Sequence, residues 1–403
     1  MYCSDQANIL LIACVYSETQ IPLYMKRSKR GFQFAAQHFQ ESLIEGFLEN
    51  GVNLHVLTIP PLSSFPGGYS SPIVNECDYV YNGRVLGKSL GYVNIPFLIH
   101  PSKEKALDYL KRWTDDADKK KHIVVYGLHS DLLSIAADYK NEFPETAITV
   151  IIPDLPEYMG CNRFVQLLGI QQMDNETKAR LLTYSDYHVL LTESMHDKLP
   201  VLRPFTVVEG LYHVNDEPRA FVQKEKIVLY TGALSLRYGI TDLLHAFELI
   251  QKEDYQLWFC GTGDAVEHVV KASKNDKRIQ YLGLKTHEET KRLQQDALLL
   301  VNPRHSDEEF TLYSFPSKTM EYLASGTPTL MCHLKCIPKE YDNYLYYFDD
   351  ESAEGMARKI IQICECPQKE LYRKGLEART FIKNNKNPQA QVRKILDLMF
   401  SDQ

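Results

Sequence analysis

Apolar residues along this 403-residue chain follow two alternating rhythms. Short runs rich in β-branched and aromatic residues read as buried strands: Asn8–Val15, Asn53–Ile59, His122–Leu128, Ala147–Ile152 and Tyr187–Leu191. Between them, apolar residues return every three to four positions, as on one face of a helix. The clearest such stripe carries Phe32, Ala35, Ala36, Phe39, Leu43 and Phe47, opens at Gly31 and stops near Asn50-Gly51. Ser102 caps a second helix carrying Ala106, Leu107, Leu110 and Trp113, and Asp131–Asn141 forms a third. The Pro-, Gly- and Ser-rich loop Pro60–Pro72 precedes two aromatic-rich strands, around Asp78–Leu86 and Tyr92–Ile99.

The polar stretch Glu209–Lys224, which carries Pro218, interrupts this rhythm, and the pattern then restarts. Strands are expected at Lys226–Tyr230, Gln256–Cys260, Arg278–Tyr281, Ala297–Val301 and Thr327–Met331, with helices such as Ile240–Ile250 and His287–Asp296 between them. The tail from Glu351 is helical. The pattern predicts an α/β protein of two Rossmann-like, doubly wound domains, residues 1–208 and 209–387. Residues 388–403 are expected to pack back on the first domain. In such folds ligands meet the carboxyl ends of the strands, so a central cleft faced by both domains is the expected site.

Composition narrows this only slightly. With 44% hydrophobic and 24% charged residues the chain is an ordinary globular protein. A net charge of −7 gives no global attraction for nucleic acid. No run approaches the roughly 20 apolar residues of a membrane span. Met1–Asp5 lacks the basic start of a signal peptide, so a cytoplasmic location is expected. The nine cysteines form no framework, and Cys332, Cys336, Cys364 and Cys366 lack the paired spacing of a structural zinc site. Asp116-Ala117-Asp118 matches a metal-binding Asp-x-Asp, but it lies in a charged stretch before a strand and reads as a solvated helix end. No metal is expected. Lys26-Arg27-Ser28-Lys29-Arg30 reads as a solvated loop; its sharper readings are a contact to an acceptor phosphate or peripheral contact with a membrane surface.

The segment from Glu308 to Pro328 carries the chemistry. A helix is expected to open at Ser314–Pro316, with Ser314 as N-cap and Pro316 in the first turn, and to stop at Gly326. The unpaired N–H groups of this donor-binding turn, on Ser314, Phe315, Ser317 and the residues after them, attract phosphate, while Pro316, which has no N–H, shapes the turn. Lys318 adds a point charge in that turn. Glu321, about one turn on, suits the vicinal hydroxyls of a ribose. Phosphate donors followed by a sugar acceptor fit a nucleoside diphosphate.

The same segment resembles the signature of the family-4 retaining glycosyltransferases of GT-B fold, especially bacterial surface-polysaccharide enzymes. The likeness runs through Glu309, Pro316-Ser317-Lys318, Glu321 and Ser325-Gly326-Thr327-Pro328. It extends to Thr231-Gly232-Ala233, to Cys260-Gly261-Thr262-Gly263-Asp264, to Tyr281-Leu282-Gly283-Leu284, and to Ile152–Glu157 and Leu191–Met195 in the first domain. The resemblance implies a first domain that binds the acceptor and a second that binds a UDP- or GDP-linked sugar, with Gly232, Gly261, Gly263 and Leu284 at the donor. The implied acceptor is a glycan or a lipid-linked glycan. It makes His129 the histidine beside the donor sugar and leaving phosphate, Gly31 a backbone contact to the diphosphate, and Asp154 an acceptor contact. Two departures stand out. The family's first Glu would fall on Tyr313, so Glu309 is assigned that role, with Glu308 as its substitute. The family's Arg after the first donor-loop Gly is Ala233 here, so Arg237 and Lys318 are expected to neutralise the diphosphate. The rival readings are a non-catalytic sugar-nucleotide-binding subunit, an epimerase and an oxidoreductase. The last is disfavoured because Ile9–Gln20 contains no glycine.

Overall fold

The computed structural model describes residues 7–30, 34–96, 103–113, 120–155 and 170–400. The chain divides into two compact units, one of residues 1–211 with 388–403, the other of residues 212–387.

The strands of the first unit are β1 (Ala7–Ala13), β2 (Asn53–Thr58), β3 (Ile73–Val74), β4 (Cys77–Tyr81), β5 (Arg84–Ser89), β6 (Tyr92–Val93), β7 (Lys120–Tyr126), β8 (Ala147–Ile152), β9 (Tyr187–Leu190) and β10 (Phe205–Val207). Eight of these form one sheet in the order β10-β9-β8-β7-β1-β2-β5-β4, while β3 and β6 pair separately. Every pairing in the large sheet is parallel except β4 with β5. The order reverses between β1 and β7, the arrangement of a doubly wound fold. Ile9, Leu11, Val56, Val124 and Ile151 form the buried heart of one face. Helix Phe34–Glu49 packs there beside the final helix, Pro388–Phe400, and Val392, Ile395 and Met399 of the latter enter the same core.

The expected strand Asp78–Leu86 is instead a hairpin, β4 and β5, folded at Asn82-Gly83. Both turn residues have positive φ, 48° and 73°, which Asn and Gly tolerate best. The expected strand Tyr92–Ile99 ends at Val93, and residues 97–99 lie outside those described. Two helices carried no clear signal: Ile21–Arg27 and Ile170–Leu182. The first includes Lys26 and Arg27 of the basic cluster. Lys29 beyond it is tied down through its backbone to Gly68 and through Nζ to the Pro66 carbonyl at 2.9 Å. Gly31 and Asp116–Asp118 lie outside the described residues, as does Ser102.

The second unit holds β11 (Lys226–Ala233), β12 (Tyr255–Thr262), β13 (Ile279–Tyr281), β14 (Leu299–Asn302), β15 (Thr329–Met331) and β16 (Tyr346–Tyr347). They form one sheet in the order β13-β12-β11-β14-β15-β16 with every pairing parallel. The order again reverses, here between β11 and β14, which makes the carboxyl ends of these two strands the natural ligand position within the unit. No described helix is long and apolar enough to cross a membrane.

Candidate functional site

Local folding at the end of β11 builds a small platform. The β11–β14 ladder covers only Val228 and Leu229. Beyond it, Tyr322 from helix Lys318–Ser325 takes over: its hydroxyl accepts from the Thr231 N–H at 2.7 Å and donates to the Thr231 carbonyl at 2.9 Å. The ring is fully buried, so it fixes the helix against the strand end. Gly232 follows at φ 140°, and a side chain there would meet the aliphatic stem of Lys318. Gly261 and Gly263 stand where β12 runs against β11. A Cβ on Gly261 would lie 1.8 Å from the Gly232 carbonyl oxygen, and one on Gly263 2.2 Å from that of Leu234. These two glycines are thus required by strand packing itself. Gly283 stands at φ 71° and its carbonyl accepts from the Gly261 N–H, while the Leu284 side chain beside it is largely exposed.

The helix of the signature opens later than its sequence suggests. Glu309–Leu312 is a 3-10 turn, and the α-helix begins at Lys318 with Ser317 at the N-cap. Ser314 is therefore not the cap, and Ser317 makes no side-chain capping bond. The cause is burial: Phe315 turns into the core against Tyr341, with ring centroids 5.8 Å apart, and holds Ser314–Pro316 outside the helix. The Phe315 side chain thus belongs to the core of the unit. Gly326 ends the helix at φ 79°.

Lys318 and Glu321 face one another, with Nζ 2.5 Å from Oε2. The other carboxylate oxygen accepts from Gln294 at 2.6 Å, and the same amide donates to Thr231 at 2.9 Å. Gln294 is buried and orients Glu321 from helix His287–Asp296; sequence alone does not reveal it, because it resembles an ordinary helical glutamine. A carboxylate has about four acceptor sites, so Glu321 retains capacity after these two bonds.

Two more cationic side chains stand at the same strand ends, each against an aromatic ring. Arg237 lies on a 3-10 turn after β11, its guanidinium carbon 4.0 Å from the Phe310 ring centre. Arg304, two residues past β14, stacks over Tyr238 at 4.4 Å and lies 5.1 Å from the same Phe310 ring. Glu309 is exposed one turn before Tyr313, whose ring is buried, so the position of the family's first Glu is filled by an inward aromatic side chain. The platform thus offers glycine backbone, a lysine, two arginines and an oriented carboxylate, suited to an anion flanked by hydroxyls.

Residues 214–387 match the family of glycosyl transferases group 1. The match spans nearly the whole of the second unit. Over the whole chain the fold is GT-B. Sucrose-phosphate synthase from Thermosynechococcus elongatus aligns with TM-score 0.62 and 15% identity, covering 99% of this chain and 100% of that one. HepE from Anabaena, solved with UDP, aligns at 0.63 and 10%, covering 98% and 100%. TarM from S. aureus, solved with fondaparinux, α-GlcNAc-glycerol and UDP, aligns at 0.55 and 11%, covering 98% and 100%. No curated protein sequence matches the chain.

Outside the region matched by the family, His129 and Asp154 follow the adjacent strands β7 and β8 in the first unit. Gly127 turns the chain at φ 82°, and the His129 ring packs over it before helix Ser130–Glu142. Crowding by surrounding protein atoms, then the Lys178 charge, hold the His129 pKa below its ordinary value, against Asp131 and Asp174. Burial raises that of Asp154. Close by, a cavity of about 220 Å³ is lined by Leu128, Leu155, Lys178, Leu182, Lys198 and Pro200.

Among the described residues, one cluster has metal-ligand chemistry. Atoms of His305, Cys332 and Glu351 lie within 4.8 Å of one another. His305 is already bonded on both sides, to Asp242 at 2.9 Å and Glu351 at 3.2 Å. Burial works against its charge, but the two carboxylates outweigh this and raise its pKa. Both ring nitrogens are thus already engaged by carboxylates.

Proposed function

We propose that this chain transfers a sugar from a UDP- or GDP-linked donor to a glycan or lipid-linked glycan acceptor, with retention of configuration and without a divalent metal. The observation that carries this is the Lys318–Glu321–Gln294 arrangement on glycine-lined strand ends, inside a domain of the group 1 glycosyl transferases. HepE and TarM were both solved with UDP, which supports a nucleotide donor here.

In this reading the bond between the anomeric carbon and the diphosphate oxygen breaks as the acceptor oxygen attacks from the same face. The acceptor's proton passes to the leaving phosphate. Lys318, Arg237 and the N–H groups at the helix start stabilise the negative charge on the departing diphosphate. On binding, Lys318 turns from Glu321 to the phosphate, and Glu321 accepts the ribose hydroxyls while Gln294 keeps it in place. Glu309 binds hydroxyls of the donor sugar, and His129 and Asp154 serve the sugar and the acceptor from the first unit. The work belongs to the cytoplasm, at the inner face of the membrane where the acceptor is lipid-linked, in polysaccharide synthesis.

The test is a panel of UDP-, GDP- and ADP-sugars with the purified chain, saccharide acceptors and EDTA. Donor consumption that persists in EDTA, with a product of unchanged anomeric configuration, is the expected result. Tight nucleotide binding with neither transfer nor hydrolysis would replace this reading by the non-catalytic subunit, which the buried Tyr313 favours.

A further inference from the structure

The geometry points to Arg304 as a diphosphate-binding residue, one that supplies from β14 the guanidinium that Ala233 leaves out of the first donor loop. This rests on the nucleotide-donor reading above and adds a residue that its signature does not contain.

Arg304 is only 9% exposed, and its Nη1 is buried with no hydrogen-bond partner. A buried guanidinium nitrogen left unpaired costs the full desolvation of a charged donor, so its persistence calls for an anion at some stage. Among the described residues none pairs with it. Its plane lies over Tyr238, and the Phe310 ring is within 5.1 Å; Arg237 stacks on the same Phe310 ring at 4.0 Å. Two cations therefore share one aromatic ring, and neither is paired with a carboxylate among the described residues. Cation–π contact offsets part of the cost, but like charges on one ring repel. An anion between them relieves both penalties.

Placement identifies the anion. Arg304 follows Asn302 and Pro303 at the carboxyl end of β14, on one side of the strand-order reversal; Gly232 ends β11 on the other. The segments are in contact, since a side chain on Gly239 would strike the Pro303 carbonyl at 2.2 Å. Tyr230 stands on the Gly232 side: its hydroxyl lies 3.6 Å from the position of a Cβ on Gly232 and donates to the Ala233 carbonyl at 2.8 Å. At a reversal of this kind the ligand's phosphates meet the strand ends. A guanidinium there binds two phosphate oxygens at once, which a lysine cannot.

A purely structural Arg304 would clamp the 3-10 turns at Tyr238 and Phe310, and its loss would weaken every ligand equally. The test separates the two by measuring affinities of the full chain for UDP, GDP, ADP, their nucleosides and inorganic pyrophosphate. In Arg304→Met, affinity for the diphosphate that wild type prefers and for pyrophosphate falls about 10- to 100-fold, while that for the nucleoside changes less than about twofold. Arg304→Lys gives an intermediate loss, and carries the same readout should the methionine variant fail to fold. Unchanged diphosphate affinity in the variants, or equal loss for nucleoside and diphosphate, overturns the assignment while leaving the donor reading intact. Pyrophosphate binding that depends on Arg304, without binding of any nucleotide, keeps the assignment and overturns the donor reading. Wild-type protein that binds none of these probes overturns both.

Discussion

The two ends of the second unit's sheet treat their cations in opposite ways. At the amino end, Arg379 is 4% exposed and fully engaged, donating to the carbonyls of Ala324 and Asp216 and to the Asp216 carboxylate. Lys291 reaches the same carboxylate, Arg219 pairs with Asp296, and Lys224 donates to the Ala297 carbonyl. At the carboxyl end, Arg237 and Arg304 rest on aromatic rings, and among the described residues Lys318 pairs with its helical neighbour Glu321 alone. The cavity of about 270 Å³ beside Lys224 and Arg379 belongs to the saturated end. Concavity and positive charge therefore do not together mark a phosphate site. What marks it is charge whose hydrogen-bonding capacity the fold leaves unused.

The comparison breaks most readily at Arg379. Replacing it with Met leaves Asp216 with Lys291 alone and the Ala324 and Asp216 carbonyls without their buried donor, and should cost about 2–4 kcal/mol in denaturant unfolding, with nucleotide affinity per folded molecule unchanged. Burial alone would raise the Asp216 pKa, but Lys291 and Arg379 hold it well below the carboxylate range. Its stabilisation is present above about pH 4, the unfolded value, and is lost as pH falls toward the native one; the variant, in which Lys291 alone still holds the carboxylate, should keep only part of that acid sensitivity. Lys318→Met should do the reverse, reducing transfer about 10- to 100-fold while changing stability by less than about 1 kcal/mol, since the pair with Glu321 is partly exposed. Equal damage to stability and transfer would erase the distinction between the two ends. Arg237→Ala, at an exposed position, should weaken nucleotide binding about three- to tenfold, falling further behind wild type at low salt. The smallest effect is expected at His305. Its raised pKa gives stabilisation that is complete below about pH 6.5 and disappears as pH climbs through the native value. His305→Gln should flatten that slope by under about 1 kcal/mol in unfolding measured from pH 6 to 9.

Much of this was legible in the chain because strand cores are long apolar runs. Both sheets, and most of their strands to within a few residues, follow from Asn8–Val15, Ala147–Ile152 and their counterparts. Lys318, Glu321 and Gly326 were legible because helix ends and charge carry local signals. The misreadings have definite causes. Asp78–Leu86 is apolar on both sides of its turn, and that continuity masked the Asn-Gly hairpin signal. The helix start was placed too early because Ser314 and Pro316 satisfy local capping rules that burial of Phe315 overrides. Gln294 and Arg304 gave no sign at all: one looks like helix surface and the other like a loop cation. Only packing shows that one orients Glu321 and that the other has a buried, unanswered donor.

The final helix, Pro388–Phe400, is separated from the rest of its unit by the whole second unit, and Gly46 lies so close beneath it that a Cβ would come within 2.4 Å of the Pro388 carbonyl. During synthesis the first sheet therefore emerges early but waits with Leu43 and Phe47 uncovered until this helix leaves the ribosome. The domain made second is the first that can finish folding. A premature stop before Pro388 would thus spare the later-made domain and expose the earlier one, leaving a sticky amino-terminal half for chaperones and proteases to find.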